Sequence, residues 1–144
     1  MTAYDRDNVF AKILRGEVPC HKVFEDEHSL AFMDIMPRCK GHTLVIPKAP
    51  ARNLLDVAPE ALRNTIVSAQ RVAKAAKIAF AADGILLSQF SEPASGQVVF
   101  HLHFHVLPRF EGVALVPPHG TIAPNEELAA DAEKLRRALA GLDG

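Results

Sequence analysis

"GQVVFHLHFHVLPRF", residues 96–110, carries three of the chain's seven histidines on alternate positions: His101, His103 and His105. Apolar residues surround them, from Val98-Val99-Phe100 to Val106-Leu107. A β-branched and aromatic run with a period of two reads as a strand, here over 97–108. Successive side chains of a strand point to opposite faces. The histidines then share one face. Phe100, Leu102, Phe104 and Val106 share the other, which is core.

The rest of the chain bounds what that strand belongs to. A length of 144 residues suits a single domain spanning 1–144, with a core at about 5–110 and a C-terminal loop and helix at 111–144. The formal net charge of −1, from 16 basic and 17 acidic residues, leaves no footprint for nucleic acid or an acidic membrane surface. The two cysteines, Cys20 and Cys39, form no CxxC pair, so neither a disulfide framework nor a thiolate zinc site is indicated. "MTAYDRDNVF" has no apolar signal core and no run reaches membrane-spanning length; the expected location is the cytoplasm.

Four more strands and three helices follow from pattern. "DNVFAKILRGE" (7–17) reads as a short helix capped by Asp7. "CHKVFED" (20–26), "HSLAFMD" (28–34), "HTLVIPK" (42–48) and "ILLSQF" (85–90) read as strands. Residues 58–81 form the strongest helix, with Pro59 in its first turn and Leu62, Ile66, Ala69, Ala73 and Ala76 spaced along one face. A last helix starts near Asn125, with Glu126 and Glu127 in its first turn. The expected class is α+β: an antiparallel sheet of about five strands with a long central helix and a C-terminal helix.

A row of imidazoles has three chemical readings. One is a metal site. Neighbours on one strand face lie about 6.7 Å apart and the outer pair about 13 Å. With bonds of about 2.1 Å, two such histidines reach one zinc but all three do not, so His42 or Asp34 would have to complete the set. The second is phosphate chemistry. Neutral imidazole attacks phosphorus near pH 7 without a separate base, and a neighbour that titrates near the same pH carries protons. His103, flanked on both sides, is the natural nucleophile. The third is a solvated face that happens to be rich in histidine, which a strict period of two between apolar residues disfavours.

"HLHFHVL" (101–107) resembles the signature of the histidine triad family, His-φ-His-φ-His-φ-φ with φ apolar. "DNVFAKILRGEVP", "VFEDEHSLAFMDIMP" and "GHTLVIPK" resemble successive blocks of its nucleotide-binding hydrolase branch, in order from about residue 5 to 110. The resemblance implies a homodimeric hydrolase that cleaves at the α-phosphate of a purine nucleotide derivative, a phosphoramidate or a dinucleoside polyphosphate. It implies a nucleotidyl-histidine on His103, His105 assisting the leaving group, and the backbone carbonyl of His101 fixing the tautomer of His103. His42 matches the family's fourth histidine.

By the same resemblance Asp34 accepts the ribose hydroxyls, Phe10, Ile13, Phe32, Ile35 and Leu44 line the base pocket, and Gln97 and Val98 meet phosphate. No cofactor and no metal are implied, and Asn8 and Ala11 stand where some bacterial relatives carry a CxxC metal site. Leu102 departs from the His-Pro-His of the uridylyltransferase branch. Many relatives place asparagine in the loop before the active strand, where this chain has Gln89 to Ser91. His119 lies in a loop of the tail that could reshape the leaving-group side. The alternatives are a nucleotide-binding regulatory protein with vestigial hydrolysis and a histidine-ligated metalloenzyme.

Overall fold

The computed structural model describes residues 3–143. Its elements are α1 (Val9–Leu14), β1 (Lys22–Glu25), β2 (Ser29–Met33), β3 (Thr43–Pro47), α2 (Pro59–Ala79), β4 (Gly84–Ser88), β5 (Phe104–Arg109) and α3 (Asn125–Asp143). The strands form one antiparallel sheet in the order β1-β2-β3-β5-β4, the expected α+β class. No helix among the described residues is long and apolar enough to cross a membrane.

Alternation along the strands divides the sheet into two apolar faces. Ala31, Met33, Val45, Phe104 and Val106 pack under α2 and α3, together with Leu102, Leu128, Leu135 and Leu139. Leu30, Phe32, Leu44 and Ile46 point the other way and meet Phe10 of α1. The first face supplies the larger core. The second is covered by the short α1, with Cys20 and Val99 packed against its margin, which leaves room for a site.

Local expectations needed correction in four places. The cap of α1 is Asn8, not Asp7: Asn8 is extended and its Oδ1 accepts from Ala11 N at 2.8 Å. The buried stripe of α2 is Thr65, Ser68, Ala69, Val72, Ala75 and Ala76, and Ile66 faces outward. Small residues let this helix lie close to the sheet, where Ser68 Oγ meets Ser29 Oγ at 2.6 Å. Phe100 is not core: it is half-buried beneath the Arg52 guanidinium, 4.1 Å from its ring centre.

The fourth correction is the largest. The strand expected over 97–108 pairs only from Phe104 onward. Pro47 explains the boundary. Asp34 N donates to His42 O and Lys48 N to His28 O, so the even-numbered residues of β3 bond to β2 and the odd-numbered ones face β5. The β3–β5 register runs Thr43↔Val106, Leu44↔His105, Val45↔Phe104 and would next reach Pro47 opposite Leu102. Proline has no N–H to give there, and the ladder stops. Leu102 N donates instead to Ala51 O at 2.8 Å, and residues 97–103 leave the sheet as a bent segment.

Two further features place the site. Gly41 has φ 83°, and a Cβ there would lie 2.5 Å from the Phe80 ring, so only glycine lets the chain turn into His42. After β5, residues 110–124 cross the turn that follows β2 as a strap. Val116 N donates to Arg38 O at 2.9 Å, Arg38 Nε returns a bond to Val116 O at 3.0 Å, and Ala123 N donates to Ile35 O at 2.9 Å.

Candidate active site

Four histidines come together at the junction of β3, β5 and the bent segment, and their hydrogen bonds fix where each ring carries its proton. His103 Nδ1 lies 2.7 Å from His101 O. A carbonyl only accepts, so Nδ1 carries the hydrogen and Nε2 keeps its lone pair. His101 Nε2 lies 2.8 Å from Pro47 O and must donate; its Nδ1 accepts from the Tyr4 hydroxyl at 2.5 Å. The carbonyl freed when the β3–β5 ladder stops thus holds His101, and the carbonyl of His101 holds His103.

The other two rings form a second chain. Arg38 N–H donates to His42 Nδ1 at 3.1 Å, so His42 carries its proton on Nε2. That nitrogen is 2.9 Å from His105 Nδ1, which accepts. His105 is left with an N–H at Nε2. The His103 and His105 rings are 4.9 Å apart, so a bare imidazole nitrogen and an imidazole N–H belong to adjacent rings. Phe10 meets His103 edge-on at 5.0 Å, and Phe90 does the same to His105 at 5.4 Å.

Burial keeps these rings neutral. It lowers His101 to about 4, against the bond to Pro47 O. It lowers His42 to about 4 with help from the Arg38 and His103 charges. It lowers His105 to about 3, with His103, His42, Arg38 and His119 adding to the effect. His103 is lowered by burial and raised in part by its bond to the His101 carbonyl. Asp34, at the end of β2, is pushed up by burial while Met36 N–H and His119 oppose the shift.

The apolar candidates divide. Phe10, Phe32 and Leu44 are buried together with Ile13 against them, and Phe10 and Phe32 meet edge-to-face at 5.3 Å. Ile35 stands apart, exposed on the turn beside the strap. Val98 is also exposed. Gln97 is buried and saturated: its Oε1 accepts from Glu92 N and Asn53 Nδ2, and its Nε2 donates to Arg52 O and Val99 O. It braces the loop. In the loop after β4, Ser91 Oγ donates to Gln89 Oε1 and Phe90 reaches the site. Tyr4 and Phe90 carry no pattern in the sequence that marks them as site residues.

Asp34, His42 and His105 also bring one donor atom each within 4.8 Å of one another, the set of that kind found among the described residues. Asp34 Oδ2 is 3.5 Å from His42 Nε2. Two imidazole nitrogens on one tetrahedral zinc sit roughly 3.4 Å apart. The 2.9 Å between His42 and His105 is a hydrogen bond, and a cation there would have to spread the pair. His101 and His103 stand outside this set.

The sequence pattern of the HIT domain matches residues 15–112. A crystal structure of a Hit-like protein from Bartonella henselae, described as involved in cell-cycle regulation and as holding an unknown ligand, is 53% identical. It matches with a TM-score of 0.89 over 94% of this chain and 99% of its own. A hypothetical histidine triad nucleotide-binding protein from Sulfolobus tokodaii is 30% identical, with a TM-score of 0.86 over 94% and 93% of the two chains. Adenylylsulfatase HINT3 of Arabidopsis thaliana is 37% identical over 105 residues, 73% of this chain and 53% of its own.

Buried neutral imidazoles tie stability to pH. Unfolded histidine titrates near pH 6.5, at about one proton per ring. His42, His101 and His105 take theirs up only near pH 3 to 4 in the folded chain. Between those values the unfolded chain binds more protons, so stability falls as pH drops below about 6.5 and is unaffected by these rings above about 7. Each costs up to about 1.4 kcal/mol per pH unit in that window. Urea midpoints are expected to be level from pH 7 to 8 and to fall steeply from 6.5 to 5. A midpoint at pH 5 equal to that at pH 7 contradicts the neutral burial of the rings.

Proposed function

The chain belongs to the HIT family, and on that premise we propose that it is a hydrolase cleaving at the α-phosphate of a purine nucleotide derivative through a nucleotidyl-histidine on His103. The observation that carries this reading is the bond from His103 Nδ1 to His101 O, which leaves a bare Nε2 on a neutral ring. In the first step Nε2 attacks the α-phosphorus, a phosphorus–nitrogen bond forms, and the bond to the leaving group breaks. The N–H at His105 Nε2 gives its proton to the departing atom. The proton is later recovered from the water that displaces His103 and releases the nucleoside monophosphate. His42, bonded to His105 Nδ1, keeps that ring's proton on the side of the substrate.

Asp34 accepts the two ribose hydroxyls, since an ionised carboxylate offers acceptors only. Phe10, Ile13, Phe32, Ile35 and Leu44 take the base. With Gln97 spent on its own loop, phosphate contacts at this end fall to backbone N–H groups, that of Val98 among them. No resident metal or cofactor belongs to the proposal. The name of the Arabidopsis relative favours adenylyl derivatives as the substrate class.

We take 1–144 as one domain, because α3 adds Leu128, Leu135 and Leu139 to the core beneath α2, and we place it in the cytoplasm, where its free thiols would stay reduced. The dimer belongs to the same reading. Of the two sheet edges, β1 carries the Lys22–Glu25 ion pair, whereas β4 presents Leu86 and Leu87 with no charge. An uncharged apolar edge invites pairing with a second copy. Light scattering at high micromolar concentration should give close to twice the 15.7 kDa chain mass, and a value near one chain mass rejects the dimer.

Rapid quenching in base during turnover of an adenylyl substrate should leave a nucleotide on the peptide "HLHFHVLPR", since a phosphorus–nitrogen bond to histidine survives alkali. His103→Ala should abolish adduct and turnover while AMP still binds. Asp34→Ala should weaken AMP by about 1.5 kcal/mol, roughly tenfold. A His103→Ala protein that turns over near the wild-type rate overturns the covalent route, and unchanged AMP affinity in Asp34→Ala overturns the ribose assignment.

A further inference from the structure

Tyr4 is the single tyrosine of the chain and stands shortly ahead of α1. Its neighbours Ala3, Asp5 and Arg6 are exposed, whereas its own ring turns inward and is half-buried. The turn that carries it is tied down by its own bonds. Asp7 N donates to Asp5 Oδ1 at 2.8 Å, Asn8 Nδ2 to Asp5 O at 2.7 Å, and Arg15 Nη1 to Arg6 O at 2.8 Å. Residues 4–15 thus form one unit that touches two neighbouring histidines of the site: His101 through the Tyr4 hydroxyl and His103 through the Phe10 ring.

The Tyr4 contact is polar, and it falls on a ring with little freedom. His101 is fully buried, with the Tyr4 hydroxyl 2.5 Å from Nδ1 and Pro47 O 2.8 Å from Nε2. Both nitrogens are satisfied only when Nε2 carries the hydrogen and the phenol donates to Nδ1. Without the hydroxyl the ring is satisfied in neither tautomer. Hydrogen on Nε2 leaves a bare Nδ1 in the interior, and hydrogen on Nδ1 sets the Nε2 lone pair against Pro47 O. Relief comes from leaving Pro47, and the His101 carbonyl, 2.7 Å from His103 Nδ1, moves with the ring.

We propose that Tyr4 is a positioning residue for the nucleophile: its hydroxyl fixes His101 on Pro47 O and so keeps the His101 carbonyl against His103 Nδ1. The proposal rests on the hydrolase reading of the site. Free neutral imidazole prefers its hydrogen on Nε2, so His103 without that carbonyl returns towards the tautomer whose Nε2 cannot attack.

Tyr4→Phe removes one oxygen and keeps the ring. With adenosine phosphoramidate and a diadenosine polyphosphate as substrates, kcat should fall roughly tenfold or more, since the attacking nitrogen is both masked and misplaced. KM and the calorimetric affinity for AMP should stay within about twofold of wild type, because the loss is confined to the attack. Long-range proton–nitrogen spectra of the variant should show His103 divided between both tautomers. In the wild type, the phenolic proton of the one tyrosine should give a cross-peak to the His101 ring. Absence of that cross-peak, an undiminished kcat in Tyr4→Phe, an AMP affinity that falls in step with kcat, or an unchanged His103 tautomer overturns the assignment. So does activity lost in Tyr4→Leu but kept in Tyr4→Phe, since packing of the ring would then be what acts. A wild-type protein that turns over neither substrate overturns the hydrolase reading, and the role of Tyr4 falls with it; a working wild type matched by Tyr4→Phe overturns the Tyr4 assignment alone.

Discussion

A single carbonyl-to-imidazole bond, His101 O to His103 Nδ1, is the constraint on which the rest of the site depends. It places a proton on one nitrogen and thereby bares the other. The bond exists because the backbone around His101 is not in the sheet: in a regular ladder that carbonyl would face β4, and β4 ends at Ser88, opposite His105. The absent N–H of Pro47 ends the ladder opposite Leu102, and the carbonyl of the same proline then takes the His101 ring. One residue type on β3 both releases the segment and begins the chain of bonds that orients the nucleophile.

The second chain of bonds, from Arg38 N–H through His42 to His105, runs in the opposite proton sense and leaves a donor beside the bare nitrogen. Neither chain works if the rings are charged, because an imidazolium has no lone pair to accept with. Burial supplies the condition, and its cost is sensitivity to acid. The core under α2 and α3 is the larger of the two apolar clusters, so the site face is free to hold polar rings at low apolar density.

Much of this was legible in the sequence. The period of two put Leu102, Phe104 and Val106 into the core and His105 on the opposite face, and the element order gave the α+β class. The pattern misled at Phe100 and at the start of β5, because alternation describes side chains, whereas strand membership is decided by whether a neighbour can donate; Pro47 lies 50 residues or more upstream of both. The apolar spacing through Leu62, Ile66, Ala69, Ala73 and Ala76 puts Ile66 on the buried face, whereas close helix–sheet contact selects the small residues Ser68, Ala69, Ala75 and Ala76. Tyr4 and Phe90 reach the site through the fold alone.

The tautomers test the account most directly. Long-range proton–nitrogen spectra of the chain labelled in its histidine rings, recorded at pH 7, report which nitrogen of each ring carries hydrogen. The account predicts that His103 alone among the four site histidines is protonated at Nδ1, with His42, His101 and His105 protonated at Nε2. His103 found with its hydrogen on Nε2, or doubly protonated at neutral pH, contradicts it.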